Sequence, residues 1–190
     1  MELLETAILN KGKVLEGNIL KVDNFLNHRI DVDLLSKMGE FVYEHFKTAS
    51  VTEILTVEAS GIAFACLCAE HFHCPVLFAK KSRSKNLGAG VYTAEAKSYT
   101  HGTVNNLMVS SDYIGKNDRV LIVDDFLATG EAAFALKSIV EQSGATLVGF
   151  VSAIEKGYQG GGDKLRSQGV DVLSLAIVDE MDVEHVKFRK

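Results

Sequence analysis

"RVLIVDDFLATGEAAFAL", residues 119 to 136, joins an unbroken aliphatic run to two adjacent carboxylates, a small-residue turn and the start of a helix. Continuous apolar residues from Val120 to Val123 suit a strand covered on both faces, as strands of a parallel sheet are. Side chains alternate along a strand, so Asp124 and Asp125 begin on opposite faces, and at the strand's carboxyl end they reach one ligand from two directions. Such a pair can grip a diol or a hydrated metal ion. The "LATGEA" that follows places Thr129 and small residues ahead of a helix beginning near Glu131, where unpaired amide hydrogens and the positive end of the helix dipole hold a phosphate. A diol grip and a phosphate turn one sugar ring apart make a site for ribose 5-phosphate.

Outward from this stretch, strand-like runs recur at 53 to 58, 75 to 80, 146 to 155 and 170 to 178, several continuously apolar. Helical segments separate them at about 61 to 72, at 131 to 143 ending at Gly144, and at 163 to 168 ending at Gly169. A further amphipathic helix is expected over 31 to 46, where Leu34, Leu35, Met38, Phe41, Val42 and Phe46 recur at three and four and Asp31 stands ready to cap the start. Alternating strands and helices predict an α/β fold with a parallel sheet between helical layers, and ligands then bind beyond the strands' carboxyl ends. Two segments break the pattern. Residues 14 to 30 look too short and irregular for the sheet and read as an accessory piece. Residues 81 to 110 read as a polar stretch followed by two alternating pieces, an exposed excursion or antiparallel flap of the kind that often forms a lid.

Composition narrows the function classes. At 190 residues, with 47% hydrophobic and 24% charged residues and one proline, one ordinary globular core is expected. A net charge of -5 argues against non-specific nucleic-acid binding. The longest apolar stretch, near "GIAFACLCA", falls far short of the roughly 18 residues a membrane span needs, and the acidic opening "MELLETAILN" lacks the basic region of a secretory signal. The expectation is a cytoplasmic protein with reduced thiols at Cys66, Cys68 and Cys74. "CLCAEHFHC" invites a zinc reading, but on a helix residues two apart diverge instead of converging on one metal.

The stretch "VLIVDDFLATGEA" closely resembles the binding motif for 5-phosphoribosyl 1-pyrophosphate (PRPP) of the type I phosphoribosyltransferases: aliphatics, two acids, two apolar residues and a small-Thr-Gly turn. The resemblance continues through "LKVDNFLNHRID" (20 to 31), "VEASGIAFA" (57 to 65) and "IEKGYQGG" (154 to 161), and is nearest to the family's xanthine-using, purine-salvage branch. It implies the type I phosphoribosyltransferase fold, a mostly parallel twisted sheet flanked by helices, as a single domain over 1–190 with a small N-terminal hood at about 14–30 and a flexible lid at about 81–104. It implies transfer of a phosphoribosyl group from PRPP to xanthine by a homodimer, with Mg2+ arriving on PRPP and no direct all-protein metal ligation. Asp124 and Asp125 are then the catalytic pair, and Leu20, Asn27 and Lys156 contact the purine. Ala128, Thr129, Gly130, Glu131 and Ala132 cradle the phosphate. Glu58 and Ser60 belong to the pyrophosphate loop, 58 to 61, which in this family often holds a non-proline cis peptide, and Lys80, with Lys81, adds positive charge beside it.

The chemistry of these side chains supports the assignment. A lysine ammonium only donates hydrogen bonds, so Lys156 suits the carbonyls of an oxopurine better than the amine of adenine, while the amide of Asn27 both donates and accepts. Each has a plainer reading: Lys156 as a solvated strand-end lysine, Asn27 as a turn asparagine. In the hypoxanthine-guanine branch the position of Ala128 is often an aspartate that moves a proton, so proton handling differs here. The alternatives are an adenine or hypoxanthine-guanine phosphoribosyltransferase, a non-catalytic PRPP-sensing regulator, and a phosphatase or receiver domain, which leaves the "ATGEA" turn without a role.

Overall fold

A computed structural model describes residues 1–82, 90–97 and 104–190. Helix α1 (Glu2–Lys11) leads into a hairpin of β1 (Lys13–Leu15) and β2 (Ile19–Lys21), then a single π-helical turn (Asp23–Asn27) and helix α2 (Val32–Phe46). Strand β3 (Glu53–Val57), helix α3 (Gly61–Phe72) and strand β4 (Val76–Ala79) follow, then the strands β5 (Val91–Lys97) and β6 (Val104–Ser110). The chain continues through β7 (Arg119–Leu127), α4 (Glu131–Ser143), β8 (Thr146–Lys156), a 3-10 turn (Gly157–Gln159), α5 (Gly161–Ser167), β9 (Val172–Met181) and β10 (Val186–Phe188).

Six strands form the main sheet in the order β10-β9-β8-β7-β3-β4, parallel except for the antiparallel edge strand β10. The aliphatic run of β7 sits inside this sheet, between β8 and β3, and its two-residue alternation divides the core. Leu121 and Val123 pack with Leu35, Met38 and Phe64 of α2 and α3, whereas Val120 and Ile122 pack with Leu136, Ile139 and Val140 of α4. The strand is thus apolar on both faces because both faces are covered. Parallel crossovers place the ends of β3, β7 and β8 along one edge, where the chain turns into Glu58, Ala128 and Gly157.

The helices expected at 31 to 46, 61 to 72 and 131 to 143 form within a residue of those bounds, and the Asp31 side chain caps α2 by accepting the Leu34 N–H at 3.2 Å. The accessory segment at 14 to 30 does stand apart from the main sheet, as a two-stranded hairpin and the π turn. Helix α1 was not anticipated. Its buried Leu4 and Ile8 are flanked by exposed Leu3 and Leu9, so apolar residues surround it without forming a stripe. Strand β10 escaped for the opposite reason, since three residues between charges carry little periodicity. Helix α5 starts two residues earlier than expected, at Gly161.

The antiparallel flap is present as β5 paired with β6, but the segment is less exposed than its polarity implied. Ala96, Leu107 and Val109 are buried against the α4 side of the core, and Lys80 and Met108 bridge the hairpin to the end of β4. Much of the expected lid, residues 83–89 and 98–103 including Tyr99, lies outside the described residues. On α3, Cys66 is exposed and Cys68 buried, so the two thiols diverge. Among the described residues, no helix is long and apolar enough to cross a membrane.

Candidate active site at the carboxyl edge of the sheet

Asp124 and Asp125 end the aliphatic run of β7 with only 4% and 6% of their surface exposed. The Asp125 N–H donates to Asp124 Oδ1 at 2.9 Å, and Asn27 Nδ2 donates to Asp125 Oδ2 at 2.9 Å. Burial and the neighbouring Asp125 charge push the Asp124 carboxyl well above the usual carboxylate range. A pair so placed accepts hydrogen bonds readily but tolerates two full charges poorly, and it suits a ligand that brings donors or a cation.

The pair lines a cavity of about 340 Å³, together with Ser60, Lys81, Phe126 and Ala132. Phe126 and Ala132 also line a second recess, of about 150 Å³, walled by residues Phe126 to Ala133. The second recess is the expected phosphate turn. Gly130, at φ +91°, precedes α4 with no side-chain cap, so amide hydrogens at the helix start remain available to an anion. Gly161 N–H donates to the Ala128 carbonyl at 3.1 Å from the far side, and a Cβ at Gly161 would sit 2.3 Å from that oxygen. The glycine run at 160 to 162 therefore lets the start of α5 buttress the turn.

The loop after β3 approaches from the other side. Its Glu58–Ala59 peptide is cis, and Glu58 Oε1 accepts the Lys81 N–H at 2.6 Å. Gly61 starts α3 so close to β7 that a Cβ there would lie 2.3 Å from Thr56 Oγ1 and 3.0 Å from Asp124 Oδ1. Lys156, at the end of β8, donates from Nζ to the Asn18 carbonyl at 3.1 Å and stands 6.0 Å from the centre of the Phe126 ring. Burial lowers the Lys156 pKa. One residue earlier, Glu155 is held between Arg166 and Ser174. Burial would raise its pKa, but these hydrogen bonds, with the Arg166 charge, bring it below the usual value.

The cavity thus brings together Ser60, Asp124, Asp125 and Ala132, with Glu58 tied to its wall and Asn27 bonded to Asp125. Ala128, Thr129, Gly130, Glu131 and Ala132 form the adjoining recess. Three further expected contacts line neither recess, Lys156 among them although it stands beside Phe126. Leu20 is 6% exposed and lines a separate recess with Val14 and Val186. Lys80 bridges to Met108 and lines a groove along β4, whereas its neighbour Lys81 faces the acidic pair's cavity. Sequence reasoning did not single out Phe126, although its place directly after the acids was the available signal. Arg166 gave no such signal.

A family model described as the phosphoribosyl transferase domain matches residues 21–189. A protein of Ruminiclostridium cellulolyticum named xanthine phosphoribosyltransferase is 49% identical over 99% of each chain. One of the same name from Bifidobacterium adolescentis is 48% identical over the full length of both. Among solved structures, adenine phosphoribosyltransferase of Rhodothermus marinus superposes with a TM-score of 0.76 at 23% identity, covering 93% of this chain and 99% of that one. The Giardia lamblia enzyme complexed with 9-deazaadenine gives 0.77 at 18%, covering 94% and 98%. At these identities the structural neighbours speak to the fold alone.

Proposed function

The chain belongs to the phosphoribosyltransferase family, and from that premise we propose that it transfers the phosphoribosyl group of PRPP to xanthine, releasing pyrophosphate and xanthosine 5'-monophosphate. The observation that carries this reading is the pair of adjoining recesses, one lined by Asp124 and Asp125 and one by Ala128–Ala132, sharing Phe126 and Ala132 as walls. A ribose 5-phosphate spans such a pair with its hydroxyls on the acids and its phosphate on the start of α4. The preference for xanthine over adenine rests on the names of full-length relatives and on Lys156, a donor that meets carbonyl oxygens.

In the reaction a purine nitrogen forms a bond to C1 of the ribose while the C1–O bond to pyrophosphate breaks, and the departing group takes the electron pair. The protein's part is to align the reactants and to hold preorganised charge where it develops. Lys81 and the loop from Glu58 to Gly61 stand where the pyrophosphate leaves; Asp124 and Asp125 hold the ribose hydroxyls. Ala128 offers no carboxylate to accept the purine proton, so the base enters as its anion and Lys156 offsets that charge. The donor set fits Mg2+, which takes oxygens from carboxylates, water and phosphates, and when bound it screens the pyrophosphate charge. Hood and sheet act within a single domain, and we place the chain in the cytoplasm as a homodimer with no nucleic-acid or membrane partner.

The test is to incubate the purified chain with PRPP, Mg2+ and each purine in turn and to measure nucleotide formation. Xanthosine 5'-monophosphate is the expected product. Product with adenine alone overturns the base assignment, and no product with any purine overturns catalysis in favour of a PRPP sensor.

A further inference from the structure

We propose that Asn27, beyond reading the base, is a positioning residue for the sugar: its amide fixes the Asp125 carboxylate in the orientation that receives the ribose hydroxyls, so one side chain ties the bound base to the diol grip. This rests on the transferase reading above. The two residues are 98 positions apart and meet at 2.9 Å, Nδ2 to Oδ2. A carboxylate only accepts, so an amide N–H must point at it, which leaves the second N–H and the Oδ1 of Asn27 for the base.

The donor is anchored. Asn27 closes the π turn, whose Phe25 and Leu26 are fully buried. Leu26 N–H donates to the Val22 carbonyl at 3.0 Å, Arg29 N–H to Asp23 at 2.8 Å and Asp31 N–H to Phe25 at 2.9 Å. The Asp125 N–H donates to Asp124 Oδ1 and so orients the neighbouring carboxylate. The Asp125 carboxylate itself is held by the Asn27 amide. Without the amide, a nearly buried carboxylate would lose a charge-assisted hydrogen bond and turn toward other donors. A base that engages the free atoms of Asn27 stiffens the whole link, so base and sugar each tighten the other's binding, as reciprocal linkage requires.

The decisive measurement is calorimetric titration of PRPP with Mg2+ into the purine-free chain, for the wild type, Asn27→Ala and Asn27→Asp. A hydrogen bond to a charged group predicts that Asn27→Ala weakens PRPP by about tenfold or more. Asn27→Asp, which sets a like charge against Asp125, should weaken it further. PRPP affinities within twofold of wild type, with only the KM for xanthine raised, would overturn the proposal and leave Asn27 to the base. A second measurement needs no variant: ribose 5-phosphate, which cannot react, should bind the wild type several-fold more tightly when xanthine is saturating, and an unchanged affinity overturns the coupling. Wild-type protein that binds no PRPP would strike down the transferase reading itself, whereas wild-type binding with indifferent variants strikes down this proposal alone.

Discussion

The Arg166 guanidinium closes on the Glu155 carboxylate with both terminal nitrogens, Nη1 at 3.0 Å and Nη2 at 2.7 Å, one residue before Lys156. Glu155 is 1% exposed, accepts Ser174 Oγ at 2.5 Å as well, and leaves no room for a side chain at Gly162. The pair fastens the end of β8 to α5, and α5 in turn meets the phosphate turn through the hydrogen bond from Gly161 to Ala128.

Arg166→Leu should therefore destabilise the chain by roughly 2 to 4 kcal/mol in denaturant titrations, somewhat below a fully buried pair because the arginine is partly exposed. The loss comes from stranding a buried charge, so pairing the change with Glu155→Gln should recover part of it. Because the folded-state pKa of Glu155 is lowered, its contribution to stability is present above the ordinary glutamate range and fades as pH falls through the folded value.

Gly61→Ala tests how closely α3 must approach the acids. The new methyl would overlap Thr56 Oγ1 at 2.3 Å and press Asp124 Oδ1 at 3.0 Å. Overpacking of this kind typically destabilises by about 1 to 3 kcal/mol. On the proposed role of Asp124 in holding the ribose hydroxyls, displacing it should also lower kcat/KM for PRPP by at least about tenfold, the loss that follows from misplacing a substrate-positioning group. A thermal melt and steady-state kinetics read the two effects separately.

Glu53 lies at the opposite end of β3, 7% exposed, and burial followed by the charge of Asp118 raises its pKa from 4.5 to about 7. Between those values the folded chain keeps a proton that the unfolded chain has released, so stability falls as pH rises through the window and stays lower above it. Glu53→Gln should remove this fall, gaining up to roughly 3 kcal/mol at pH 8 and little at pH 4. Chemical denaturation at the two pH values checks it.

Lys156→Gln should lose activity most steeply with xanthine. An amide keeps a donor but gives up the charge that offsets an anionic base, so guanine, entering without that charge, should suffer less. Initial rates with both purines decide the matter; equal losses would count against the charge-offset role.

Much of the fold was legible because the aliphatic run of β7 and its strand-helix rhythm are local facts of the chain. An apolar strand without polar alternation implies cover on both faces, and Leu121 and Ile122 do pack to opposite sides. The turn proposed to hold the phosphate was locatable for the same reason: all its residues are consecutive, from Ala128 to Ala132, and face one recess. The purine side was less so. Asn27 could equally have been a turn asparagine, and nothing near it in sequence points to Asp125.

The sequence by itself determined the α/β class, the acid pair at a strand's carboxyl end and the small-residue turn at a helix start, since each follows from residues within about one turn or strand of one another. Only the tertiary structure decided that Asn27 bonds Asp125, that Lys81 rather than Lys80 faces the cavity, and that Arg166 neutralises Glu155. Those pairings depend on how distant elements pack around the sheet. Periodicity along a strand or helix fixes which way a side chain leaves its own element, but the partner it meets is set by the packing of another.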